Sequence, residues 1–90
     1  METDEILMLR VIDNDDRAAM SELIRRHQVW MPRYLGTATD APEYWAVKVW
    51  ARVWECRNTF RGPRNFESSL VNFTLNFVGT LRHATLIAGA

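Results

Sequence analysis

The sequence predicts an all-α domain, a compact three- to four-helix bundle. Three observations predict it. Apolar residues recur at steps of three and four in separate segments. Residues able to cap a helix precede those segments. Pro and Gly fall mainly between the segments, where they break regular structure.

Thr3 is placed to cap a first short helix that carries Ile6, Leu7, Leu9 and Arg10. Asp13-Asn14-Asp15-Asp16 reads as a turn, and Asp15 or Asp16 caps the next helix, where acids also suit the dipole. The second helix has a stripe of Met20, Leu23, Ile24, His27, Trp30, Met31 and Tyr34. Pro32 is expected to kink its last turns, and Gly36 to stop it in the left-handed conformation. A polar connection over 36–41 follows, with Asp40 as cap and Pro42 in the first helical turn. Ala46, Val49, Trp50, Val53 and Trp54 then share a face of a third helix. The β-branched Val47 and Val49 make a strand the competing local reading, but the aromatic spacing favours helix. Residues 58–64 form a loop, since Gly62-Pro63 ends any helix. Asn65 caps a fourth helix with the stripe Phe66, Leu70, Phe73, Phe77 and Leu81. Gly79 weakens its end by about 1 kcal/mol relative to Ala. The expected layout is a single domain over 1–84 and a tail or linker over 85–90.

Composition narrows the function. Ninety residues hold one domain, and the four Trp, four Phe and two Tyr supply its apolar anchors. No apolar run approaches the roughly 18 residues of a membrane span, so no membrane insertion is expected. The acidic opening Met1-Glu2-Thr3-Asp4-Glu5 lacks the basic start of a signal peptide, which points to a cytoplasmic location. The single Cys56 excludes an internal disulfide and a multi-cysteine zinc site. Eleven basic and eleven acidic side chains cancel. They are not evenly spread: residues 1–45 carry nine acids and five bases, residues 46–90 six bases and two acids. That split suggests two differently charged faces, or chance clustering on a solvated surface.

No catalytic constellation emerges, and neither an enzyme nor a cofactor is expected. His27 lies on an apolar stripe without a partner motif and reads as a core or boundary histidine. Cys56 beside Arg57 is a weak thiolate signal. There is no Gly-rich phosphate cradle and no metal-ligand spacing. Residues 52–66 are more informative. Arg52, Arg57, Arg61 and Arg64 interleave there with Trp54, Phe60 and Phe66, and Glu55 is the one acid. Arginines that hold phosphates beside flat rings that stack on bases suit single-stranded nucleic acid. The plainer alternative is a solvated arginine rim over core aromatics.

Several motifs, in order, resemble the sigma factors of the extracytoplasmic-function group. They are Thr3-Asp4-Glu5 with Leu7 and Leu9; Asp15-Asp16-Arg17-Ala18-Ala19-Met20 with Glu22-Leu23; and Arg25-Arg26-His27 followed by Pro32, Tyr34 and Leu35. Val49-Trp50-Ala51-Arg52-Val53-Trp54, Phe60-Arg61-Gly62 with Phe66, and Asn76 continue the pattern. The resemblance covers roughly residues 3–83 and implies a sigma-70 region 2 domain. Such a domain binds the bacterial RNA polymerase core. It also captures the melted −10 promoter strand, holding a flipped base with the loop before its fourth helix. Carried onto this sequence, the resemblance implies DNA-binding residues Arg61, Gly62, Pro63, Arg64, Asn65 and Asn76. It implies polymerase-binding residues Glu43, Val47, Lys48 and Arg52.

The chain departs from the family at both surfaces. Val47-Lys48 stands where the family carries Gln-Glu, which inverts a charge at the polymerase face. Ser69-Leu70-Val71-Asn72-Phe73-Thr74-Leu75-Asn76 lacks the Trp and both Arg of the family's fourth helix. These losses motivate the alternative: a sigma-like interaction module that binds an anti-sigma factor or adaptor and melts no promoter.

Overall fold

A computed structural model describes residues 1–62 and 65–89, with side chains through Leu81. Among them are five α-helices and one 3₁₀ turn: α1 (Asp4–Asn14), α2 (Arg17–His27), α3 (Trp30–Leu35), α4 (Pro42–Glu55), the turn Arg57–Phe60, and α5 (Phe66–Gly89). The described residues contain no strand, so the β-branched pair of α4 yields to its helical stripe. No helix among them is long and apolar enough to cross a membrane.

The caps explain most boundaries. Thr3 Oγ1 accepts from Ile6 N at 3.2 Å, and Asp16 Oδ1 from Ala19 N at 3.0 Å. Asn65 Oδ1 accepts from Ser68 N at 3.0 Å. Between α1 and α2, Asp15 takes the left-handed conformation (φ 51°), which Asp tolerates better than most residues. Two expected boundaries differ. Gly36 is right-handed (φ −59°), because the end of α3 closes on backbone bonds such as Gly36 N to Pro32 O at 2.9 Å. Ala41, not Asp40, is the N-cap of α4; Thr39 Oγ1 accepts from Ala41 N at 3.2 Å. Pro42 occupies the first helical position and so pushes the cap one residue further along.

The expected second helix is two. Pro32 has no N–H to offer the Gln28 carbonyl, and its ring crowds that same carbonyl. The chain breaks at Gln28-Val29, four residues before the proline, and α3 starts at Trp30.

One core joins the helices. Leu7, Met8, Val11 and Ile12 of α1 face Ala19, Met20 and Leu23 of α2. Met31 and Leu35 of α3 pack with Ala46, Val49, Trp50 and Val53 of α4. From α5 come Phe66, Leu70 and Val78, with Thr74 fully buried beside them. The centre of the α5 stripe is therefore Phe66, Leu70, Thr74 and Val78; Phe73 and Phe77 pack at its flank. Thr74 fits there because its hydroxyl donates to Leu70 O at 2.8 Å. The α5 backbone continues as helix through Gly79 and through residues 85–89. A 24-residue helix is about 36 Å long, and the molecule measures 45 × 22 × 19 Å.

His27 is a core residue. Its Nε2 lies 2.8 Å from Asp4 Oδ2, and its Nδ1 accepts from Trp30 Nε1 at 2.9 Å. The indole N–H can only donate, so in neutral His27 the hydrogen sits on Nε2 and points at Asp4. The ring is boxed by Trp30, Trp50 and Phe66. Asp4 also takes Arg26 Nη1 at 3.0 Å. One carboxylate thus ties α1 to α2, while the imidazole carries the link on to α3.

Candidate nucleic-acid interface

The segment after α4 is shaped by its own backbone. Cys56 N bonds Arg52 O, Thr59 N bonds Cys56 O, and the Thr59 hydroxyl donates to the same Cys56 carbonyl at 2.8 Å. The turn presents Phe60 inward, against Phe66 and Phe73 with ring centroids 5.6 and 5.5 Å away. Gly62 follows at φ 142°, a conformation L side chains rarely adopt. The start of α5 is fixed twice, by Asn65 and by Glu5 Oε2, which accepts from Phe66 N at 2.7 Å. Acceptors at a helix N-terminus satisfy donors that have no partner inside the helix.

A cleft of about 340 Å³ opens between this turn and α5. The turn contributes Thr59, Phe60, Arg61 and Gly62; α5 contributes Ser69, Asn72, Phe73 and Asn76. The α5 residues are spaced i, i+3, i+4 and i+7, which places them on one face. Among the described residues, the amides of Asn72 and Asn76 have no side-chain partner, and both residues are exposed. Among the described residues, the cleft therefore has an aromatic floor, amides and hydroxyls on its walls, and Arg61 as its cation.

Of the residues expected to bind DNA, Arg61, Gly62 and Asn76 come together in this cleft. Asn65 does not: its carboxamide oxygen caps α5, and it borders a separate open depression with Glu67, Ser68, Val71 and Asn72. Pro63 and Arg64 lie outside the described residues. The sequence reading missed Thr59, Ser69, Asn72 and Phe73 as lining. The spacing of Ser69, Asn72 and Asn76 was the available signal, since they flank the apolar stripe of the same helix.

Arg61 is not unpartnered. Its Nη2 lies 2.5 Å from Asp13 Oδ1 at the end of α1, with both side chains about half exposed. Arg57 donates to Asp15 Oδ1 at 2.7 Å and to Trp54 O at 2.9 Å, and it lies 4.8 Å over the Trp54 ring. These two pairs join the acidic half of the chain to the basic half at this turn.

The four residues expected at a polymerase face, Glu43, Val47, Lys48 and Arg52, lie on α4 and are exposed. Lys48 Nζ sits 5.3 Å from the Tyr44 ring centroid, and Arg52 pairs with Glu55 at 2.9 Å. Val47 is 68% exposed. It lines a groove of about 480 Å³ with Met20, Ile24, Trp50, Ala51 and Trp54, with Arg17 and Ser21 completing the lining. No group of metal-ligating side chains occurs among the described residues.

No protein-family model, no curated protein and no solved structure matches the chain.

Proposed function

We propose that the chain is a region 2-type sigma module of transcription initiation, which docks on bacterial RNA polymerase core and receives an unpaired base of the melted −10 strand in the α5 cleft. One observation carries the reading: Arg61 and Gly62 of the turn share a cleft with Asn76 of α5. These are among the residues to which the sigma-factor resemblance gives strand capture. Their chemistry suits the task. Phe60 and Phe73 offer faces for stacking, worth about 1–3 kcal/mol per base. Ser69, Asn72 and Asn76 offer donors and acceptors to base edges, and Arg61 offers a cation to the adjoining phosphate. Zero net charge gives little non-specific affinity, consistent with a module that depends on polymerase to present open DNA. The groove between α2 and α4, with exposed Val47 at its edge, is the apolar surface proposed to meet polymerase.

A second reading has its own support. Arg61 is already paired, and α5 has no arginine among residues 66–81. Both features suit a sigma-like module that binds an anti-sigma factor or adaptor and never handles DNA.

Fluorescence anisotropy with a labelled −10-type single strand separates the two. The sigma reading expects single-strand binding that exceeds duplex binding, weakened about fivefold or more by Asn76→Ala and made less salt-dependent by Arg61→Ala. Equal affinity for both DNA forms, unmoved by either substitution, refutes it. Retention on immobilised core polymerase tests the docking half.

A further inference from the structure

We propose that Asp13 is an intramolecular competitor for Arg61: its carboxylate occupies the guanidinium at the cleft and is displaced when a nucleic-acid phosphate binds. The inference rests on the strand-capture reading for its biological ligand, though its electrostatics can be measured without a base.

Asp13 is poorly placed for stability on its own account. It stands in the last turn of α1, which carries no basic residue there, and a carboxylate at that end opposes the helix dipole. Its acidic neighbours have local roles. Asp16 caps α2 through Ala19 N, and Asp15 supplies the left-handed residue that ends α1. Among the described residues, the Asp13 side chain pairs with Arg61, 48 residues away in sequence.

Arg57 and Arg61, which pair with this acidic turn, are held very differently. Arg57 is only 28% exposed and is fixed by Asp15, by the Trp54 carbonyl and by the Trp54 ring. Arg61 is 52% exposed and, among the described residues, is held by Asp13 alone. Arg57 is therefore a structural tie between α1 and α4, whereas Arg61 is the exchangeable cation. An open ion pair of this kind breaks easily. Asp13 takes Arg61 through Nη2 alone, whereas a phosphate at the cleft mouth can take the guanidinium bidentately. Linkage makes the competition reciprocal: whatever free energy the Asp13 pair contributes is subtracted from phosphate binding.

The test compares the wild-type chain with Asp13→Asn, each with and without Arg61→Ala. Asp15→Asn serves as the control. The probes are a labelled −10-type single strand and long-chain inorganic polyphosphate, which carries phosphates and no bases. Asp13→Asn is expected to tighten the single strand about two- to fivefold, the span of an exposed pair. Its salt dependence should steepen by up to about 0.7 in log–log slope, one more phosphate neutralised. The gain should vanish in the Arg61→Ala background and be absent in Asp15→Asn. If the same gain occurs on polyphosphate but neither protein prefers the strand, the competition stands and the strand-capture reading falls. Unchanged or weaker binding of both probes by Asp13→Asn overturns the proposal. So does a gain that survives Arg61→Ala, a matching gain from Asp15→Asn, or no binding of either probe by any protein. Thermal melts accompany each variant, and Asp13→Ser carries the same readout if Asp13→Asn melts early.

Discussion

Replacing Asp4 by Ala removes the carboxylate on which the α1–α2–α3 junction depends. Asp4 Oδ2 meets His27 Nε2 at 2.8 Å and Oδ1 meets Arg26 Nη1 at 3.0 Å. His27 cannot turn to a new partner, since its Nδ1 is engaged by Trp30 and its faces are packed by Trp50 and Phe66. Its Nε2–H would be left unsatisfied in a buried site, a loss of about 1–3 kcal/mol. Arg26 keeps Glu22, so its share is small. The first-turn acid also loses its favourable interaction with the α1 dipole, about 0.3–1 kcal/mol. The expected destabilisation is about 2–3 kcal/mol, large against the total of about 5–13 kcal/mol for a chain this size. The melting temperature should fall by about 10–20 °C. Asp4→Asn keeps an acceptor oxygen for His27 and should cost about 1 kcal/mol. Urea unfolding followed by tryptophan fluorescence measures both. A change under about 0.5 kcal/mol for Asp4→Ala, or equal losses for Ala and Asn, refutes the reasoning.

Three further predictions concern separate parts of the molecule. Thr74 is fully buried but spends its hydroxyl on its own helix, so Thr74→Val should shift urea stability by less than about 1 kcal/mol, whereas Leu70→Ala in the same core should cost about 2–5 kcal/mol. The Glu22 carboxyl is held down to about 2, first by its hydrogen bonds to Arg25 and then to Arg26. A lowered folded-state pKa stabilises fully above the ordinary value near 4.5 and is lost as pH falls toward 2. The stability gap between wild type and Glu22→Gln should therefore be constant from pH 7 to 5 and close by pH 2; a gap independent of pH contradicts the assignment. Val47→Asp should leave the melting temperature within a few degrees, because the side chain is exposed, yet reduce retention on polymerase core at least tenfold. Undiminished retention removes the α2–α4 groove from the polymerase face.

Much of the fold was legible because it depends on short-range rules. Thr3 and Asn65 announce helix starts through their side chains, and the α4 stripe is written at helical spacing despite its valines. The errors arose where a neighbour intervened. Asp40 is a good cap in isolation, but Pro42 displaced the boundary to Ala41. Pro32 is expected to kink the last turns of one helix, but its conflict with the carbonyl four residues earlier divides that helix into α2 and α3. Thr74 looked polar, so the α5 stripe was drawn through Phe73 rather than through a threonine that satisfies itself.

The candidate site was legible only in part. Arg61, Gly62 and Asn76 were named from motif order, and they do share a cleft. Asn65 was named for DNA, but its oxygen is committed to the helix start. The Asp13–Arg61 pair joins residues 48 positions apart, and no local spacing rule connects α1 to the turn after α4. Ser69 and Asn72 lie in the segment that departs from the family pattern, so the face they share with Asn76 is carried by spacing and not by motif.

Whether an unpaired base enters the α5 cleft is tested most directly by a nitrogen–proton correlation spectrum of the side chains, recorded as a −10-type single strand is added. The account predicts that the carboxamide signals of Asn72 and Asn76 and the guanidinium signal of Arg61 move together and saturate at one strand per chain, while an equal amount of duplex leaves them still. Signals that move only along α2 and α4, or carboxamides that stay fixed while the strand binds elsewhere, would contradict it.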